Sequence, residues 1–165
     1  MIRKNGKDKR IRVFLSYAYP DQAHARRVRN LLALADVKVV STDALATGRA
    51  WPSVIPGEIS RCDVFIVVIS PDSLESEWVL LELGAAWALK KPMIALATRP
   101  DITTIPGAPG PVEVINIEEI EKPGVLQRLL KGFLRTGANK PRETTRPKSV
   151  TGRDRKKTIR TKERV

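Results

Sequence analysis

The sequence predicts an α/β fold, an open, flavodoxin-like, doubly wound sheet of five parallel strands. Three observations predict it. Short β-rich runs alternate with helical patterns in a βαβ rhythm. The run Val64-Phe65-Ile66-Val67-Val68-Ile69 is apolar at every position, as a strand covered on both faces should be. A chain of 165 residues that is 42% hydrophobic has enough apolar material for one core of ordinary size.

The elements follow in order. Arg12 to Ser16 reads as the first strand. A helix is expected over Asp21 to Ala35, where Ala23, Val28, Leu31, Leu32 and Ala35 recur at helical spacing. Val37 to Val40 gives a second strand, Ser53 to Arg61 a shorter helix, and Val64 to Ile69 the third strand. The next helix runs from Glu77 to Lys90, with Ser76 suited to cap it and Glu77 placed at its positive end. Lys90, Lys91 and Pro92 end it abruptly. Met93 to Leu96 and Val112 to Ile115 complete the strands, and a last helix covers Gly124 to Arg135.

The formal net charge is +12, a value that ordinarily suggests a polyanionic partner. Its distribution argues otherwise. Residues 1–10 carry five basic groups against one acid, and residues 137–165 carry eleven against three. Residues 11–136 are neutral, so the domain between a basic amino-terminal arm and a basic tail has no net pull on nucleic acid. The tail, rich in Lys, Arg, Thr and Pro, reads as disordered. Its charge suits a weak counterion-release contact with nucleic acid or an anionic surface, but it lacks aromatics for stacking on bases, which favours a solvated terminus.

One cysteine, Cys62, and one histidine, His24, exclude an internal disulfide, a Cys/His zinc site and Ser-His-Asp hydrolysis among these residues. Cys62 reads as a small buried residue and His24 as an exposed one. No signal-peptide pattern follows Met1, and the apolar run at Trp78 is too short for a bilayer, so a cytoplasmic setting is expected.

In a sheet of this kind, ligands bind beyond the carboxyl ends of the strands. Those ends are Ser16-Tyr17-Ala18-Tyr19, Ser41-Thr42-Asp43 and Ser70-Pro71-Asp72-Ser73, with a long loop from Asp43 through Gly48 to Trp51 at the same edge. Glu82 stands out because it is the one charge in the apolar run from Trp78 to Leu89. A carboxylate in such surroundings is costly unless it is paired or used. Trp78, four residues earlier, shares its helical face, so an aromatic plate and an anion could line one pocket.

Three segments together resemble Toll/interleukin-1 receptor (TIR) domains. Phe14-Leu15-Ser16-Tyr17 is similar to the first signature box, and Asp43-Ala44-Leu45-Ala46-Thr47-Gly48-Arg49-Ala50-Trp51 to the BB loop. Val68-Ile69-Ser70-Pro71, followed by Ser73-Leu74, Ser76, Trp78 and Glu82, resembles the stretch leading to the catalytic glutamate. The resemblance spans about Ile11 to Arg135 and is most like the stand-alone prokaryotic type found in antiphage systems such as Thoeris. It implies cleavage of NAD between nicotinamide and ribose, by hydrolysis or cyclisation, in immune defence or signalling. NAD would be the substrate, with no cofactor and no metal.

By the same resemblance Glu82 is the catalytic residue, and Ser16, Tyr17, Asp43, Leu45, Trp51, Ser76 and Trp78 bind substrate. Ala18 stands where some TIR enzymes carry a basic residue, so no contact to nicotinamide or phosphate is expected there. Other TIR domains are the expected partners through self-assembly. Alternatives remain open at this level. Glu82 could be a solvent-facing or salt-bridged residue of a TIR–TIR interaction module that catalyses nothing. Trp78, Trp87 and Tyr17 also read as core aromatics, Trp87 foremost. A nucleoside deoxyribosyltransferase shares a similar sheet and a glutamate at a glycosidic bond, although the BB-like loop argues against it.

Overall fold

The computed structural model describes residues 10–41, 51–108, 110 and 112–136, without side-chain detail at 51–53 and 134–136. The five-stranded sheet has the order β2-β1-β3-β4-β5, and every neighbouring pair is parallel. In chain order, β1 (Arg12–Ser16) leads through a 3₁₀ turn (Tyr19–Asp21) into α1 (Gln22–Leu34), then β2 (Lys38–Ser41). Next come α2 (Trp51–Arg61), β3 (Val64–Ile69), α3 (Pro71–Glu75), α4 (Glu77–Ala88) and β4 (Met93–Ala97). The edge strand β5 (Val114–Asn116) is followed by α5 (Ile117–Glu121) and α6 (Val125–Thr136). The basic ends, residues 1–9 and 137–165, and the loop expected over Asp43 to Ala50 lie outside the described residues.

The pleat sends alternate residues to opposite faces, and the two cores follow that rule. Val13, Leu15, Val64, Ile66, Val68, Ile94 and Leu96 pack against α1, α5 and α6. Phe14, Phe65, Val67, Ile69, Met93 and Ala95 pack against α2 and α4. All six β3 side chains are buried, as an apolar strand in the middle of a doubly wound sheet requires.

Two helices stop by the same device. After α1, Asp36 takes the left-handed conformation (φ 57), and the Val37 amide donates back to the Leu32 carbonyl. After α4, Lys90 does the same (φ 51), and the Lys91 amide donates to the Ala86 carbonyl. Both are six-to-one closures that satisfy end-of-helix carbonyls before the chain turns into a strand.

Three local departures from the sequence expectation are informative. Ser70 to Ser73, expected as open rim, begins a separate helix because Ser70 and Ser73 cap each other reciprocally. The last strand is Val114–Asn116 rather than Val112 to Ile115, its register fixed by the pairing of Ala95 with Val114. Asn116 then caps the short α5 by accepting from the Glu118 amide at 2.9 Å, an element that sequence periodicity alone does not reveal.

A candidate site at the switch point of the sheet

β1 and β3 lie side by side, yet the chain leaves β1 for one face and β2 for the other. A crevice at their carboxyl ends is where such sheets hold ligands.

From β3 the chain enters this edge through two capped helices. The Ser70 hydroxyl accepts from the Ser73 amide at 3.0 Å, while the Ser73 hydroxyl accepts from the Ser70 amide at 2.8 Å and donates to the Ser70 carbonyl at 3.0 Å. Ser76 ends α3 in an extended conformation, and its hydroxyl accepts from the Val79 amide at 3.4 Å to start α4. These caps fix where α4 begins and therefore which of its residues face inward. The inward stripe is Val79, Glu82, Leu83 and Ala86. Glu82 is 1% exposed, so it is no solvent-facing helical residue; Trp78, one turn earlier, is 45% exposed and stands at the solvent boundary.

Ser16 closes β1 on the same face. It alternates with Phe14, whose ring stacks on Phe65 at 5.6 Å between centroids. Ser16 is completely buried, and its hydroxyl has no hydrogen-bond partner among the described residues. A buried hydroxyl left unsatisfied costs about 1–3 kcal/mol. Folded proteins retain such a group chiefly where a function or a bound molecule completes it.

A third residue, Asp21, ties the two strand exits together. It occupies the cap position of α1 but makes no capping bond. Instead its carboxylate accepts the Ser70 hydroxyl at 2.6 Å, in a place where Asp21 is 4% exposed. Burial pushes this carboxyl above its ordinary value against the opposing pull of the Ser70 hydrogen bond; Asp72 adds to the rise and His24 offsets it. The sequence places Asp21 at the start of the expected helix, and nothing local reveals a partner 49 residues away. His24, expected to be exposed, is half-buried with its Nδ1 enclosed, a correction that follows from its place one turn beyond Asp21.

Tyr17 goes the other way. Its ring belongs to the α1-side core, and its hydroxyl accepts from Arg29 Nη2 at 3.4 Å. The same nitrogen donates to the Ser41 hydroxyl at 3.1 Å, joining the ends of β1 and β2. Ser16, Ser76, Trp78 and Glu82 therefore share the α2/α4 side of the edge, whereas Tyr17 lies across the sheet. Trp51 opens α2, which starts two residues before the expected Ser53, so the loop does not extend through it; Asp43 and Leu45 fall outside the described residues. Trp87 is half-buried against the α2/α4 core.

Cys62 is buried, and burial first of all pushes its thiol up to about 11, which leaves a negligible thiolate fraction at neutral pH. Among the described residues no group of His, Cys, Asp and Glu could hold a metal ion, and no helix is long and apolar enough to cross a membrane.

No curated protein matches the chain. Among solved structures, it resembles the TIR domain of a Toll-related receptor from Hydra magnipapillata, with a TM-score of 0.59 and 18% identity, over 73% of this chain and 96% of that one. It also resembles a 2-deoxyribosyltransferase from Bacillus psychrosaccharolyticus, with a TM-score of 0.48 and 16% identity over 56% and 77% of the two chains. A 2-deoxyribosyltransferase from Leishmania mexicana gives a TM-score of 0.44 and 26% identity over 54% and 65%. The family profile described as the TIR domain matches residues 13–130, from β1 into α6 and through every element of the switch-point site. The chain belongs to the TIR domain family.

Proposed function

We propose that this protein cleaves NAD at the bond between nicotinamide and ribose, with Glu82 as the catalytic carboxylate. The observation that carries the reading is a carboxylate only 1% exposed, one turn inside a solvent-facing tryptophan on a helix that begins at the switch-point edge. The unsatisfied Ser16 hydroxyl on the same face supports it. So does membership of the TIR family, in which the resemblance of Val68 to Glu82 implies this activity.

The chemistry suits one anion. Nicotinamide in NAD is already a cationic pyridinium, so as the C1′–N bond breaks it leaves neutral and needs no proton. An ordinary glycoside, by contrast, needs an acid for its leaving alcohol. Glu82 stabilises the oxocarbenium-like charge that develops on the ribose or holds the ribose hydroxyls. Ser16 offers a hydroxyl to the ligand, and Trp78 forms a wall at the entrance. Water adding at C1′ yields ADP-ribose, nicotinamide and a proton; attack by a base nitrogen of the same ligand yields a cyclic product. Pocket shape decides between them.

We place the activity in immune defence or signalling in the cytoplasm of a prokaryote, and the known role of TIR domains in signalling supports that setting. A second reading, an assembly module without catalysis, is favoured by the apolar outer face of α4, where Leu80, Leu81 and Leu89 are all exposed.

The test is to incubate concentrated protein with NAD and resolve the products chromatographically, with deoxynucleosides and free bases in a parallel reaction. Nicotinamide release with ADP-ribose or a cyclic isomer is expected. Base exchange on deoxynucleosides with NAD left intact would point instead to a deoxyribosyltransferase. No turnover at any protein concentration would leave the assembly reading.

A further inference from the structure

The charges of residues 11–136 cancel in sum, but the fold sorts them by end. The carboxyl edge of the sheet, where the candidate site lies, is acidic. Asp72, Glu75, Glu77 and the three glutamates of α5 are exposed there. Three cations at that edge, Arg27, Arg99 and Lys122, are each paired with a carboxylate, of Glu121, Asp101 and Glu119. Arg26 and Arg128 stand part-way down their helices. The amino edge is basic: Arg10, Lys38, Arg61, Lys90 and Lys131 are exposed at it. Its acids Asp36, Glu58 and Asp63 are half-buried and already bonded, to Arg10, to Arg12 and Arg61, and to the Arg12 amide. Glu113 is the one exposed acid at this edge among the described residues, and none of Lys38, Lys90 and Lys131 is in an ion pair with them.

Both basic ends of the chain join this same edge. Arg10 is bonded to Asp36, in the turn between α1 and β2. α6 runs back toward the start of β5, where Gly132 and Phe133 share a groove of about 400 Å³ with Glu113. Residues 1–10, with five basic groups against one acid, and residues 137–165, with eleven against three, therefore add to a surface that is already basic. Helix dipoles favour a cation at a helix C-terminus, which accounts for Arg61 and Lys90. They do not account for the surplus at the two chain ends. We propose that the amino edge and both chain ends together dock on the phosphate backbone of a nucleic-acid duplex, with the candidate site held on the far side.

The chemistry of the edge selects this partner. Residues 1–10 and 137–165 contain no aromatic side chain, so unpaired bases find nothing to stack on. An apolar anchor is missing as well, because the apolar stripe of α6 at Leu126 and Leu130 is buried in the core. Stable attachment to a membrane takes such an anchor in addition to a basic patch. The phosphates of a duplex require charge alone. The six residues of β3 set the two edges about 20 Å apart, roughly two Debye lengths at physiological salt. The acidic edge is therefore screened from the contact and turned away from the polyanion.

This inference goes beyond NAD cleavage and is read without NAD, so either can fail alone. The measurement is fluorescence anisotropy of a labelled DNA duplex of about 30 base pairs titrated with the full-length chain at about 50 and 200 mM salt. Duplex RNA and a single strand of equal length are titrated in parallel, and co-sedimentation is run with vesicles of phosphatidylcholine and phosphatidylserine. The wild type should bind a duplex, and contact with about five phosphates should cost it affinity on the order of 10²–10³-fold between the two salt concentrations. Lys38→Glu with Lys90→Glu, both at exposed positions, should weaken binding at least tenfold while circular dichroism shows the fold retained. Arg155→Glu with Lys156→Glu should do the same. An equal charge change at the carboxyl edge, Arg99→Glu with Lys122→Glu, should leave binding within about threefold, because that edge is screened from the contact. Three results would each overturn the proposal: a wild type that binds neither duplex at the lower salt, tighter binding to the single strand or the vesicles than to either duplex, or Lys38→Glu with Lys90→Glu weakening binding no more than the carboxyl-edge pair does.

Discussion

On the α1 side of the sheet, the carboxyl ends of β1 and β2 are laced together by Arg29, which reaches Tyr17 at 3.4 Å and Ser41 at 3.1 Å. On the α2/α4 side of the same edge, the neighbouring residue Ser16 is buried with no partner for its hydroxyl, and Glu82 is buried on the facing helix. Ser16 and Tyr17 are adjacent in sequence, yet the pleat sends them to opposite faces of the sheet. On the α1 side, donors and acceptors satisfy one another and tie the strand ends together. Where a hydroxyl is enclosed and left incomplete, as at Ser16, the fold bears a cost that a ligand can relieve.

The largest effect that tests this contrast is expected at Glu82. Glu82→Gln keeps the shape and removes the charge, so NAD cleavage should fall by about 10²–10³-fold, as on loss of a preorganised electrostatic group, with the protein still folded by circular dichroism. Retention of more than a tenth of the activity would remove Glu82 from the chemistry.

Asp21 comes next, because it belongs to neither side and holds the two strand exits in place. Asp21→Ala leaves the buried Ser70 hydroxyl without its acceptor and should cost about 1–3 kcal/mol in a denaturant titration. Activity should fall as well, since Ser70 starts the α3–α4 turn that sets Glu82. Asp21→Asn keeps an acceptor oxygen and should recover most of both losses.

The same pair of proteins carries a pH signature. Burial raises the Asp21 carboxyl above its ordinary 3.8, so in the window above that value the native state binds the proton more tightly than the unfolded chain. The wild type should therefore lose stability relative to Asp21→Asn as pH rises from about 3.8 through the raised value, and not as it falls. An unchanging difference between the two across that window would show that burial is not what governs this group.

Ser16→Ala should give a smaller effect of opposite sign on the two readouts. Removing an unsatisfied buried hydroxyl should leave stability unchanged or raise it by up to about 1 kcal/mol, while KM for NAD rises severalfold. A loss of stability with KM unchanged would reveal a structural hydroxyl rather than a ligand group. The smallest effect on catalysis is expected at Arg29. Arg29→Met severs the link between β1 and β2, which should lower stability by about 1 kcal/mol and leave kcat within about twofold.

Much of this was legible in the sequence, for reasons that name their own limits. β3 declared itself by an unbroken apolar run, and α4 by a Ser cap at one end and Lys90-Lys91-Pro92 at the other. Glu82 was conspicuous because a lone charge in an apolar helix has to be accounted for energetically. What sequence could not give was set by contacts across the fold. The bond from Ser70 to Asp21 joins residues 49 positions apart, and the helix at Ser70 depends on a reciprocal cap with Ser73 that no apolar periodicity marks. The register of β5 came from β4, and the division of Ser16 from Tyr17 required knowing which face each core occupied. Asp43 and Leu45 remain readings from the resemblance alone.

The most direct measurement sets the two sides of the edge against each other: nicotinamide release from NAD by wild type, Glu82→Gln and Arg29→Met at equal concentration, each checked for folding. The account predicts release by the wild type and Arg29→Met at similar rates, and its loss in Glu82→Gln. Release by Glu82→Gln at the wild-type rate, or loss in Arg29→Met while it stays folded, would contradict an active site on the α2/α4 side.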